Sequence, residues 1–376
     1  MISYPYIILI LILSFSSLIT IKNQSRDIFK FSCIVIFLFF SLRAPVVGAD
    51  TYDYVRFFTG ERNFYNYDER DLELLFLLYN DLLKIFTDNG VIYLFINSFI
   101  SLLPLYYLVN KYSERKVLSL FLFFAFGFYI SYFVALRQIL SISILLWGVI
   151  CVYENRKYKW VFFMALSVLS YLMHTTAVIT TLIYLLAYFF IVKNKKYLYI
   201  LVIGSVVIGF FSENYSFINI FSIFYSQGLT PIERISNYLT LENFRDEVPL
   251  YILLRPTVVG IFVIYFIPDN KINDLLFKIY IFSIILFNLF YQFPMIQRAN
   301  LSFEIFSIIV FTWIYGSYGG RRLINFKNIF VVFIVLYFTR SFIIASMSPD
   351  LDGLSRMHPY FFFFEDYSSH PTITRF

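Results

Sequence analysis

The 376-residue chain is 60% hydrophobic and 14% charged, with a mean hydropathy of +0.73 and a formal net charge of +6. Soluble domains carry about 25% charged residues, so this composition excludes a soluble globular protein and points to a membrane protein. Its apolar runs lack the strict polar alternation of outer-membrane strands, and helices satisfy such backbone in lipid.

In chain order, twelve helical spans are expected, at 4–21, 29–42, 91–109, 117–135, 137–153, 160–174, 175–192, 197–211, 250–267, 276–292, 301–318 and 329–346. The first has no basic start and no small-residue cleavage site, so it reads as a retained helix. The sixth and seventh are joined so tightly that a broken or re-entrant arrangement is an alternative there. Cys33 and Cys151 both lie in apolar runs and imply neither a disulfide framework nor a zinc site. Outside the spans lie a loop at 43–90, a second loop at 212–249 and a tail at 347–376, all in one transmembrane domain covering 1–376. In the first loop, 71–87 reads as an amphipathic interfacial helix. Leu72, Leu75, Phe76, Tyr79, Leu82, Leu83 and Phe86 recur at helical spacing among Asp71, Glu73, Asp81 and Lys84.

Charge bias assigns the sides. The linkers at 22–30, 110–116, 154–159, 193–196, 268–278 and 319–328 hold 17 Lys and Arg against 5 Asp and Glu. The rest of the chain holds 13 against 19, so the expected inner face is +12 and the outer face −6. Both termini fall on the outer side. The basic balance is thus positive-inside bias, with no sign of nucleic-acid binding. No phosphate-binding glycine loop, dinucleotide fingerprint or metal motif occurs.

Ionisable groups at membrane depth are costly and usually have a partner or a task. Arg137 opens its span at the outer end, and three readings fit: snorkelling, an anionic ligand, or a structural ion pair. His174 sits at a junction of two spans, where it packs at a helix end or handles a ligand or a proton. Arg234 is followed four residues later by Tyr238, on the same face of a helix. Arg255 precedes Pro256 just inside a span, and Arg298 enters the eleventh span six residues before Glu304. Together with Arg43 these arginines set fixed positive charge at one level of a face that is net negative. The guanidinium fork suits phosphate or carboxylate, and a lipid pyrophosphate is the membrane-level anion that fits. Asp50 and Asp53 add acid/base or sugar-hydroxyl acceptors beside Arg43. Transfer of a pyrophosphate-linked sugar needs charge stabilisation on the leaving group and a base for the acceptor hydroxyl.

The stretch "LRAPVVGADTYDY" resembles the Arg-x(4)-Gly-x-Asp-Thr-x-x-Tyr signature of the EpsG-like family of bacterial membrane proteins, which is grouped with Wzy-type polysaccharide polymerases. "ALRQILSISI", "LMHTTAVI", "ERISNYL" and "QRANLSFEI" resemble its later stations in the same order, over roughly residues 35–305. At Arg298 the chain departs from the family's Arg-Ile-x-x-Tyr pattern. The resemblance implies an all-α, polytopic protein of about twelve transmembrane helices with a GT-C-like polymerase architecture. It implies an inner-membrane enzyme with its active site facing the periplasm, which moves a growing glycan from undecaprenyl pyrophosphate to the non-reducing end of a new lipid-linked repeat. Arg43, Gly48, Asp50, Thr51 and Tyr54 match the first motif; Arg137 with Gln138, His174, Arg234 with Tyr238, and Arg298 match the later ones. In this reading Arg137, Arg234 and Arg298 hold pyrophosphate, with Arg43, Gln138, Tyr238 and Arg255 beside them. His174 or Asp50 handles the acceptor proton. No metal or cofactor is implied; the expected partners are membrane lipids, a chain-length regulator and a flippase of the same pathway.

Three other functions fit parts of the pattern. A polysaccharide ligase uses the same donor but carries a much larger late outer segment than 212–249. A flippase for lipid-linked oligosaccharide expects mid-depth charges and repeated halves. A sugar O-acyltransferase uses a membrane histidine without the ordered arginines.

Overall fold

A computed structural model describes residues 4–20, 24–61, 72–211, 250–291, 294–317, 360–366 and 368. The described residues are helical, with one isolated antiparallel bridge between Arg43 and Phe362. The helices are α1 (Tyr4–Thr20), α2 (Arg26–Ser41), α3 (Ala49–Thr59), α4 (Leu74–Lys84), α5 (Gly90–Tyr112), α6 (Lys116–Ala125), α7 (Phe128–Val134) and α8 (Leu136–Tyr153). They continue as α9 (Lys159–Met173), α10 (Ala177–Phe189), α11 (Lys195–Phe211), α12 (Leu250–Phe266), α13 (Leu275–Phe290), α14 (Pro294–Glu304) and α15 (Ser307–Ser317). Helices occupy eleven of the twelve expected stretches; the twelfth, 329–346, lies outside the described residues, as does the loop 212–249.

By length and composition, Gly90–Tyr112, Leu136–Tyr153 and Arg298–Gly316 are long and apolar enough to cross a membrane. A fourth crossing is added if α6 and α7 count as one span. The expected single span 117–135 is in fact this pair, bent by 67°. The bend falls at Phe126–Gly127, where Gly127 takes a φ of +79° that disfavours side chains. The protein is therefore a membrane protein that, among the described residues, is all-α with three or four candidate transmembrane helices. Apolar side chains cover outward faces of the shorter helices too, such as Leu11, Phe15 and Leu18 on α1.

The chain divides into two compact units, residues 1–177 with 318–376, and residues 178–317. In the first, α8 and α9 are joined by the hydroxyls of Ser141 and Ser170, 2.8 Å apart, and Ser143 donates to the Ser101 carbonyl of α5. Small hydroxylated residues at such seams let helices approach closely and pair without water. In the second unit, Asn288 of α13 is fully buried and donates to Ser205 of α11 at 2.9 Å. A side chain at Gly209 would strike the Asn288 carbonyl, so the close crossing requires glycine there.

Helix α4 carries two apolar faces. Phe76 and Leu83 are buried against Tyr54, Phe58 and Tyr93. Leu74, Leu78, Leu82, Ile85 and Phe86 point outward, each more than half exposed. Leu82 and Phe86, expected on the same stripe as Phe76, belong to this outer face.

Several of the basic linkers lie against one another within each unit. In the first unit Gln24 donates to the Glu114 carbonyl, and Glu154 accepts from Lys111, which brings 22–30, 110–116 and 154–159 together. In the second, Lys195 pairs with Asp269 at 2.9 Å, and Asn273 bonds both backbone groups of Val192. Burial alone raises the Glu154 pKa, but donors from Lys111, Tyr107, Tyr112 and Arg156 outweigh it and hold the carboxyl at about 2. A depressed folded-state pKa gives stability that is complete above the unfolded value near 4.5 and is lost as pH falls through about 2. Melting curves of detergent-solubilised wild type and Glu154→Gln should therefore differ at pH 7 and converge towards pH 2. A gap that persists at pH 2 contradicts this assignment.

Candidate functional site

The first motif is a docking device. Gly48 has a φ of +105°, and a Cβ there would lie 2.6 Å from the Phe133 carbonyl oxygen. Thr51, fully buried, donates its hydroxyl to that same carbonyl. Phe133 belongs to the last turn of α7, whose carbonyls lack partners within the helix. One turn further along α3, the buried Tyr54 accepts from Arg137 Nε at 3.0 Å. Gly48, Thr51 and Tyr54 recur every three residues and thus share one face, which seats α3 on residues 133–137. Asp50, in the first turn of α3, is exposed and acts electrostatically on Tyr54.

Arg137 is the second residue of α8, a position where the helix dipole disfavours a cation. Its Nη1 donates to Glu73 Oε2 at 2.6 Å, and its guanidinium lies over the Tyr54 and Phe76 rings at 5.5 and 5.6 Å. The pair is largely shielded, with side-chain exposures of 19% for Arg137 and 10% for Glu73. Glu73 is the N-cap residue of α4, and its Oε1 accepts the Thr175 N–H at 3.4 Å. The carboxylate thus joins Arg137 to the turn that carries His174. His174 caps the C-terminus of α9, and its Nδ1 accepts the Thr176 N–H at 3.3 Å, with the Thr176 hydroxyl 2.8 Å away. An Nδ1 that accepts leaves the neutral ring's proton on Nε2.

Arg43 lies in the core, with 2% exposure. Its Nη1 donates to the Phe40 carbonyl at 2.8 Å, and its guanidinium stands 4.6 Å from the Phe133 ring centre. The flanking backbone pairs with the C-terminal segment, Ala44 N–H to the Phe361 carbonyl and Phe363 N–H to the Leu42 carbonyl, both 2.9 Å. Phe133 therefore takes Arg43 on its ring and Thr51 on its carbonyl, and Arg43 sits beneath the motif while Asp50 sits at its surface.

The structure brings Asp50, Tyr54, Arg137 and the His174 turn into one connected cluster. Gln138, next to Arg137, is buried. Arg255 and Arg298 belong to the second unit. Arg255 is half-buried and interacts electrostatically with Glu304, and Arg298 is exposed. Arg234 and Tyr238 lie outside the described residues. Glu73 was missed: in sequence it is one more charge on the polar side of an amphipathic stretch, and its partner lies 64 residues away. Among the described residues, no three His, Cys, Asp or Glu side chains gather as a metal site would require.

Fold and site together define an all-helical membrane protein with a shielded arginine–carboxylate pair, an exposed aspartate and a histidine turn in its first unit. The family model of the EpsG family matches residues 28–362, and the chain belongs to that family, a membership consistent with a relationship to Wzy-type polymerases. Among curated proteins and solved structures, none matches the chain.

Gly48→Ala should be among the most damaging small substitutions in this region, since it combines a positive φ with a backbone clash. A non-glycine residue in such a conformation costs about 1–3 kcal/mol. Melts of the purified protein in detergent should show Gly48→Ala lowering the midpoint more than Thr51→Ser, which keeps the hydroxyl. Equal midpoints would contradict the docking role.

Proposed function

We propose that the protein is a polymerase for O-antigen, capsule or exopolysaccharide, using undecaprenyl-pyrophosphate-linked repeats. The carrying observation is the Tyr54–Arg137–Glu73 cluster tied to the His174 turn, with Asp50 exposed beside it. The family's relationship to polymerases supports the same reading.

In this account the chain is a single transmembrane domain of twelve spans with a GT-C-like architecture in the bacterial inner membrane. The basic linkers are cytoplasmic, and the loops 43–90 and 212–249, the 174–176 turn and the 347–376 tail are periplasmic. The meeting of like-sided linkers within each unit supports that sidedness. The acceptor sugar's hydroxyl oxygen attacks the anomeric carbon of the donor glycan. The new glycosidic bond forms as the bond to pyrophosphate breaks, and the leaving pyrophosphate keeps the electron pair. Arg137 holds that developing charge with Gln138 beside it, and Arg234, Tyr238, Arg255 and Arg298 are proposed as further anion-binding residues. Charge placed ahead of the reaction stabilises the leaving group without reorganisation. The acceptor proton goes to Asp50. His174, with Nδ1 occupied, serves as a donor through Nε2, which suits a phosphate oxygen better than a hydroxyl to be deprotonated. Arg43, Gly48, Thr51 and Tyr54 hold the platform. A chain-length regulator and a flippase of the pathway are the proposed partners.

Polysaccharide profiles of a strain lacking the gene test this reading. The expected result is a single repeat on its acceptor with no ladder, restored by the wild-type gene. Arg137→Ala should leave the protein in the membrane and give no ladder, a loss of at least a hundredfold in polymer. Complete absence of the first repeat would instead assign ligation or flipping, and normal polymer from Arg137→Ala would remove its pyrophosphate role.

A further inference from the structure

Resting on the polymerase reading, we infer that Glu73 is a positioning residue that fixes Arg137 against the His174 turn, without itself touching substrate or taking a proton. One carboxylate makes both connections: Oε2 takes Arg137 Nη1 at 2.6 Å and Oε1 takes the Thr175 N–H at 3.4 Å. Tyr54 holds the guanidinium's Nε from the other side. Two of the three guanidinium nitrogens are thus fixed by side chains of α3 and of the residue that caps α4, and the fork's plane is set before any anion arrives.

The chemistry argues against Glu73 as the base. Both Glu73 oxygens already accept protein donors, Oε2 from Arg137 Nη1 and Oε1 from the Thr175 N–H, so neither is turned towards an acceptor hydroxyl. Glu73 also has 10% side-chain exposure, whereas Asp50 is exposed. A purely structural pair is the competing account, and Glu73's second bond separates the two. A brace for α8 alone has no need of the Thr175 amide, while a group that sets the distance between an anion-binding arginine and a histidine needs both ends. Glu73 also places negative charge beside the proposed pyrophosphate site. Its removal therefore leaves ground-state attraction for the anion intact or stronger while the fork loses its fixed direction, which damages the transition state more than binding.

The test uses the full-length protein in nanodiscs with lipid-linked repeat units as substrate, and it normalises rates to folded protein by size-exclusion chromatography. Glu73→Gln keeps a hydrogen-bonding oxygen and removes the charge; it is expected to lower kcat at least threefold with donor KM unchanged or reduced. Glu73→Asp should fall between Gln and wild type. A kcat loss under threefold per folded molecule, or any rise in donor KM, overturns the inference, the first making Glu73 structural only and the second making it a substrate ligand. Binding of undecaprenyl pyrophosphate gives an arm that needs no turnover: Glu73→Gln should bind it at least as tightly as wild type, and Arg137→Ala at least tenfold more weakly. Weaker binding by Glu73→Gln overturns the inference as well. A wild-type chain that makes no polymer removes the polymerase reading, while the binding arm still judges Glu73.

Discussion

A guanidinium at the start of a membrane helix, shielded from water and facing the positive end of the helix dipole, has to be compensated by its neighbours. Arg137 meets that constraint through Glu73 and Tyr54, and much of the first unit is arranged around the need. Helix α4 begins where its N-cap carboxylate reaches the arginine, and α3 is seated so that Tyr54 arrives from the opposite side. The α9–α10 turn is tied in through the amide of Thr175. Exposed ion pairs contribute at most about 1 kcal/mol, but removing one partner of a buried pair costs about 3–5 kcal/mol. With exposures of 19% and 10%, this pair lies nearer the second case. Its geometry is therefore held firmly enough to orient a ligand.

Phe133 is the second pivot. Its carbonyl, orphaned at the end of α7, takes Thr51 and excludes any side chain at Gly48, while its ring takes the Arg43 guanidinium. One residue thus explains three positions of the first motif. It also distinguishes two arginines that sequence alone treats alike. Arg43 is desolvated and satisfied in part by a backbone carbonyl and an aromatic face; Arg137 is satisfied by a carboxylate and keeps an accessible edge.

Much of this was legible in the sequence. Apolar length and charge bias placed helices at eleven of the expected stretches and grouped the linkers that later meet. The motif residues Asp50, Tyr54, Arg137 and the His174 turn, each singled out in the sequence, fall in one cluster. Helix α3 was not legible, because Asp50, Thr51 and Asp53 dilute its hydropathy and it is held by docking, not by lipid. The bend at Gly127 was hidden because apolar residues run through both halves. Glu73 could not be found because no periodicity links residues 64 positions apart on different helices. The depth of Arg43 was invisible because burial of a charge depends on which ring and carbonyl surround it.

The most direct measurement is a cryo-electron-microscopy structure of the protein in nanodiscs with undecaprenyl pyrophosphate bound. The account predicts a phosphate oxygen within hydrogen-bonding distance of Arg137, with the Arg137–Glu73 pair retained and Asp50 open to the space where an acceptor hydroxyl enters. A pyrophosphate bound away from Arg137, or one that displaces Glu73 from it, would contradict the central claim that this ion pair builds the anion site.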